Sequence, residues 1–171
     1  MAKRTKPPDE TIVFLSSTFR DLASLRAVLI LALESSAYRV FGMELFTADV
    51  SPPLDTCLAE LNQSHIYVGV IGEYYGSCPP GFKKSYTQLE YERAVKRKMP
   101  MFVFLTADDA EVTPAQIERD AKKLERLNKF KSALKKNHTV AFFKNANEAA
   151  WQILAALRKH ELRESEKKGT K

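Results

Sequence analysis

Along residues 11–16, 66–72, 101–105 and 140–143 nearly every position is apolar, and many are β-branched or aromatic. That is the pattern of short strands buried on both faces. Residues 38–46 add another strand candidate, second in chain order. Between these runs the apolar period lengthens. Leu22, Leu25, Leu29, Ala32 and Leu33 recur at helical spacing behind Ser17 or Thr18, either of which can cap the first turn. Ser51 and Pro52 place a cap and a first-turn proline ahead of Leu54, Leu58 and Leu61. Residues 85–98 are helical by composition, Thr113-Pro114-Ala115-Gln116 opens a long charged helix, and residues 147–162 close the chain with a helix carrying Trp151, Leu154 and Leu157.

Five buried strands alternating with helices predict an α/β fold: a doubly wound, five-stranded parallel sheet in the flavodoxin-like order 2-1-3-4-5, with the first strand central. The 171 residues suffice for one core. Residues 11–162 are read as a single domain, residues 1–10 as a flexible N-terminal segment, and residues 163–171 as a charged tail or linker, disordered after Arg163. An apolar fraction of 44% and a charged fraction of 28% exclude collagen-like, disulfide-scaffold and wholly disordered classes. No apolar run approaches the roughly 18 residues of a membrane helix, and the polar start with Pro7 and Pro8 lacks the apolar stretch of a signal peptide. A cytoplasmic protein without a membrane partner is expected. Cys57 and Cys78, with no paired Cys/His spacing, predict neither a disulfide framework nor a metal site.

The net charge of +6 is uneven. Residues 113–138 carry +5 and residues 158–171 carry +3, whereas residues 11–112 carry −3. The stretch with Lys122, Lys123, Arg126, Lys129 and Lys131 interleaves acids with bases, so it is read as a solvated helix face rather than a nucleic-acid surface.

In doubly wound sheets ligands sit beyond the carboxyl ends of the strands where the strand order reverses. That selects the loop after the first strand, from Ser16 to Asp21, and the loop after the third, from Glu73 to Ser77 and on to Glu90. Ser16 and Ser17 offer hydroxyls to a ligand or to a helix cap. Arg20 and Asp21 suit a phosphate and a hydroxyl, or simply a helix terminus. Tyr74 and Tyr75 can stack on a ring or pack beneath the loop. Gly76, four residues, Gly81 and then Phe82-Lys83-Lys84-Ser85 nearly spell a P-loop, but the lysine comes one residue late and Pro79 and Pro80 remove two donors. Two capping boxes compete at the next helix. In Thr87-x-x-Glu90 the glutamate is a cap; in Ser85-x-x-Gln88 it is released for chemistry. Ser16, Arg20, Tyr75 and Glu90 are expected around one crevice. His65, His138 and His160 belong to no Ser/His/Asp set.

Residues 13–22 (VFLSSTFRDL), 42–46 (GMELF), 51–58 (SPPLDTCL), 66–77 (IYVGVIGEYYGS), 85–94 (SYTQLEYERA) and 100–105 (PMFVFL) resemble, in order, the consensus of domain-of-unknown-function family 4062. That family commonly lies N-terminal to STAND-type NTPase modules and is considered a relative of Toll/interleukin receptor (TIR) domains. TIR domains that cleave NAD carry a glutamate early in the third helix, in a serine, tryptophan, cysteine, two residues, glutamate pattern. Here Ser85-Tyr86-Thr87-Gln88-Leu89-Glu90 matches at the serine and the glutamate, with Tyr86 and Thr87 in place of tryptophan and cysteine. The nucleoside deoxyribosyltransferases, which look like cousins of this fold, also use a glutamate in this region. By this resemblance Glu90 is catalytic and faces the ribose, and Ser16, Phe19 and Arg20 line the crevice; with Ser17, Tyr74, Tyr75 and Ser85 of the same loops they make the expected substrate-binding set. The resemblance implies an effector that cleaves the nicotinamide–ribose bond of NAD, or a related N-glycosidic bond, in defence or cell-death signalling, with NAD as substrate and no cofactor required. It equally implies a non-catalytic adaptor that self-associates or serves a STAND-type NTPase in the same or a partner chain.

Overall fold

The computed structural model describes residues 10–42 and 54–169. Among them, β1 (Ile12–Ser16), β2 (Arg39–Phe41), β3 (Ile66–Ile71), β4 (Met101–Thr106) and β5 (Ala141–Phe143) form one parallel sheet in the order β2-β1-β3-β4-β5. The helices are α1 (Ala23–Ser35), α2 (Leu54–Gln63), α3 (Tyr86–Lys96), α4 (Ala121–Asn137) and α5 (Ala146–Gly169). The strand order reverses between β1 and β3, as the sequence predicts, so their carboxyl ends open side by side.

Why the central strands carry almost no polar residue is plain from β3. Tyr67 and Ile71 pack with Leu61, Tyr91, Leu127 and Phe130 of α2, α3 and α4, while Val68 and Val70 pack on the other face with Leu29, Leu33, Ile153 and Leu157 of α1 and α5. Each such side chain, fully buried, stabilises the fold by roughly 1.5–3 kcal/mol before entropy is counted.

Several boundaries differ from the sequence reading. The described part of the second strand spans only Arg39–Phe41; the rest of residues 38–46 beyond Gly42, and the Ser51-Pro52 cap, lie outside the described residues. Helix α1 starts at Ala23 behind Leu22 without a side-chain cap, because Ser17 and Thr18 are engaged elsewhere. The capping box at Thr113 is present but closes only a 3-10 turn, Pro114–Gln116. The chain is then held extended: Gln116 Nε2 donates to the Asp21 carbonyl at 2.8 Å, and Glu118 N donates to the Glu73 carbonyl at 2.8 Å. A second cap, Asp120, accepts from the Lys122 and Lys123 amides, and α4 begins there. Helix α5 runs on to Gly169, so residues 164–169 of the segment expected to be disordered are helical, with Lys167 paired to Glu164 one turn away; the last two residues lie outside the described residues. Trp151 does not join the core. Ala150, Ile153 and Leu157 form the inward stripe, which leaves Trp151 on the far side and 71% exposed.

Candidate functional site

Ser16 ends β1, paired in register with Gly69 of β3, and its hydroxyl donates to Glu90 Oε2 at 2.5 Å. Both residues are buried; Glu90 is 2% exposed. Tyr67 and Cys57 share this neighbourhood. Burial drives the Tyr67 phenol well above its usual range, the hydrogen-bonding contact with Ser16 opposing and the Glu90 charge adding to the rise. Burial, followed by the charges of Glu90 and Glu60, pushes the Cys57 thiol up to about 12, which removes it as a thiolate nucleophile.

The competition between the two capping boxes is resolved in favour of Ser85. Its Oγ accepts the Gln88 amide at 3.3 Å. The return arm runs through a third residue: Ser85 N donates to the Tyr75 hydroxyl at 3.3 Å, and that hydroxyl donates to Gln88 Oε1 at 2.7 Å. Tyr75 therefore packs beneath the loop as part of the cap. Glu90, one turn further on, is left to Ser16. Gly76, at φ +89, makes the turn above Thr18, where a Cβ would stand 2.8 Å from the Thr18 methyl.

Ser17 has a different partner. Its Oγ accepts from Arg26 Nη1 at 2.6 Å, and the same guanidinium donates to the Leu15 carbonyl. Arg26 is 1% exposed. Sequence reading missed it, although the signal is there: Arg26 falls between Leu22, Leu29 and Leu33 on the apolar stripe of α1. Thr18 Oγ1 donates to Asp21 Oδ1, while Asp21 Oδ2 is buried without a partner. Burial raises the Asp21 pKa to about 6, the Thr18 hydrogen bond opposing and the Glu73 charge adding to the rise.

Arg20 and Tyr74 form a second group. Nη1 of Arg20 donates to the Tyr74 hydroxyl at 3.3 Å, and the guanidinium lies 5.3 Å from the ring centre. They border a cleft of about 210 Å³ with Pro114, Ile117 and Glu118, whose walls include neither Ser16 nor Glu90. Phe19, 52% exposed, stands on the same β1 exit loop. The structure thus joins Ser16 to Glu90 and Tyr75 to Ser85, and it places Arg20 with Tyr74 at a separate cleft.

At the near-P-loop and the start of α3, four backbone amides are committed within the chain, and Pro79 and Pro80 have none to offer. Phe82 N goes to the Pro79 carbonyl, Ser85 N to Tyr75, Tyr86 N to the Ser77 carbonyl and Gln88 N to Ser85. Among the described residues no His/Cys/Asp/Glu group is arranged to hold a metal ion, and no helix is long and apolar enough to cross a membrane.

The family described as Domain of unknown function (DUF4062) matches residues 12–158. Among solved structures, the chain is similar to the TIR domains in the structure of the activated Roq1 resistosome directly recognizing the pathogen effector XopQ. The TM-score is 0.53 at 19% identity, over 85% of this chain and 98% of that one. No curated protein matches the sequence.

Proposed function

The chain belongs to the DUF4062 family, and we propose that it is a TIR-like effector domain that cleaves the nicotinamide–ribose bond of NAD, or a related N-glycosidic bond, with Glu90 as the catalytic carboxylate and the cytoplasm as its place of action. The observation that carries this reading is the 2.5 Å bond from Ser16 to Glu90, which brings a carboxylate to the carboxyl ends of β1 and β3, the place where this sheet architecture puts ligands. Nicotinamide leaves as a neutral molecule, taking the electron pair of the C1′–N bond, so no acid is needed. The main requirement is a negative charge beside the oxocarbenium-like ribose. Glu90 supplies it, with Ser16 holding one oxygen in place, and water then adds to C1′ and releases a proton.

NAD turnover should fall by about 100-fold or more in Glu90→Gln, the scale expected for loss of one electrostatic stabiliser of the transition state. Circular dichroism of the variant should match the wild type. Equal turnover in the two proteins would refute the assignment.

A second reading is supported by the similarity to resistosome TIR domains together with the exposed Trp151 and Leu31: a self-associating adaptor, coupled to a STAND-type NTPase module. Absence of turnover at every protein concentration, with a reversible dimer in sedimentation, would favour it.

A further inference from the structure

We propose that the groove between α3 and α4 is a binding site for a phosphorylated ligand with a planar ring, of mononucleotide size. This site is independent of the Ser16–Glu90 pair and does not rest on NAD cleavage. The groove measures about 300 Å³, at the lower end of the range of small-molecule pockets. Its floor is aromatic and apolar. Tyr91 and Phe130 meet edge to face there, centroids 5.4 Å apart, with Ala133 alongside. Its rim carries four cations, Lys83, Lys84, Arg126 and Lys129, against one carboxylate, Glu92.

The two lysines are those of the near-P-loop. The amides of Phe82 and Ser85 are committed within the chain, while the side chains of Lys83 and Lys84 border the groove beside α4. The lip they form is latched to α4 by Arg126 Nη1, which donates to the Lys83 carbonyl at 2.8 Å. Lys84 is held by Glu92 at 2.8 Å, and Lys129 by Glu125 at 2.6 Å, both as surface pairs. Such pairs contribute little, so a phosphate dianion can displace the two carboxylates, Glu92 and Glu125, and gather several cations at once. The aromatic floor then selects a ring-bearing phosphate over inorganic phosphate. A protein partner is disfavoured by size, because a groove of this volume holds one ring and one anion rather than an interface.

The test is calorimetric titration of the full chain with adenosine monophosphate, adenosine, inorganic phosphate and an aspartate-rich peptide. Adenosine monophosphate is expected to saturate with a Kd below about 1 mM, and adenosine and inorganic phosphate to bind at least tenfold more weakly. Lys83→Glu and Lys129→Glu, at exposed side chains, should each weaken it roughly fivefold. Glu92→Gln should strengthen it about twofold or more, a gain that damage to the fold does not produce. Glu90→Gln should leave it unchanged, which separates this site from the one proposed for glycosidic cleavage. The proposal is overturned if adenosine monophosphate does not saturate, if adenosine binds equally well, if the peptide binds in its place, if Glu92→Gln has no effect, or if Glu90→Gln abolishes binding.

Discussion

Asp21 is a carboxyl buried without a full complement of donors. Thr18 serves Oδ1, Oδ2 has no partner, and Gly72 lies so close that a Cβ there would stand 2.5 Å from Oδ2. The groups acting on its charge are Glu73, which opposes ionisation, and Lys131, which favours it and is itself tied to Glu73. Its folded pKa, about 6, lies above the unfolded value of 3.8, so the fold holds its proton after the unfolded chain has lost it. Below about pH 4 both states are protonated and Asp21 contributes nothing to the pH dependence. As pH rises to about 6 stability falls, and above that the full penalty, up to about 3 kcal/mol, persists. Asp21→Asn should therefore remove this decline and raise the melting temperature at pH 7 but not at pH 4; thermal melts across that range check it. The sequence put Asp21 at the right sheet edge but did not reveal its burial, since an acid following an arginine reads as a helix terminus. Arg26 escaped for a related reason: one arginine in an apolar stripe looks like solvent exposure until Ser17 and the Leu15 carbonyl are brought beneath it.

Helix α3 shows how far local signals reach. The Ser85 cap was legible as one of two alternatives, and the three-residue offset to Gln88 is the one realised. The Tyr75 hydroxyl in the return arm was not legible, because it arrives from the β3 exit loop, ten residues upstream. Tyr75→Phe keeps the ring in the core but leaves the Ser85 amide and the Gln88 carbonyl oxygen without that partner, so it should cost about 1–3 kcal/mol in chemical denaturation. Ser85→Ala should cost about 1 kcal/mol. The same limit explains the segment before α4. Its composition is helical from Thr113 onward, yet contacts with Asp21 and Glu73, remote in sequence, hold residues 117–120 out of the helix until Asp120 restarts it. The inner strands β1, β3 and β4, by contrast, were readable nearly to the residue, because packing on both faces leaves little room for polar positions to blur the pattern.

At the scale of the whole molecule, the parallel sheet followed from alternation and chirality, and its order 2-1-3-4-5 from the flavodoxin-like pattern chosen for five such strands, whereas the partition of the loop residues between two places did not follow from either. The β1 exit sends Ser16 inward to Glu90 and Arg20 outward to Tyr74, a divergence within five residues that no periodicity encodes. This has a consequence for any dinucleotide substrate. The cleft beside Arg20 holds about 210 Å³ and its walls do not reach Glu90, so a dinucleotide whose ribose lies at Glu90 could place only a distal part there and would leave much of itself in solvent on one chain. Binding must also offset at least about 4 kcal/mol of lost translational and rotational freedom, and loop ordering besides. A neighbouring copy that covers the exposed part supplies contact area, and the exposed Phe19 on the same loop is a ready contact for it. Turnover of NAD is therefore expected to rise more steeply than linearly with protein concentration, and to appear at low concentration when the chain is fused to an oligomerising partner. Measured from nanomolar to crowded conditions, a strictly linear dependence abolished by Glu90→Gln would establish a self-sufficient site and refute the requirement for assembly.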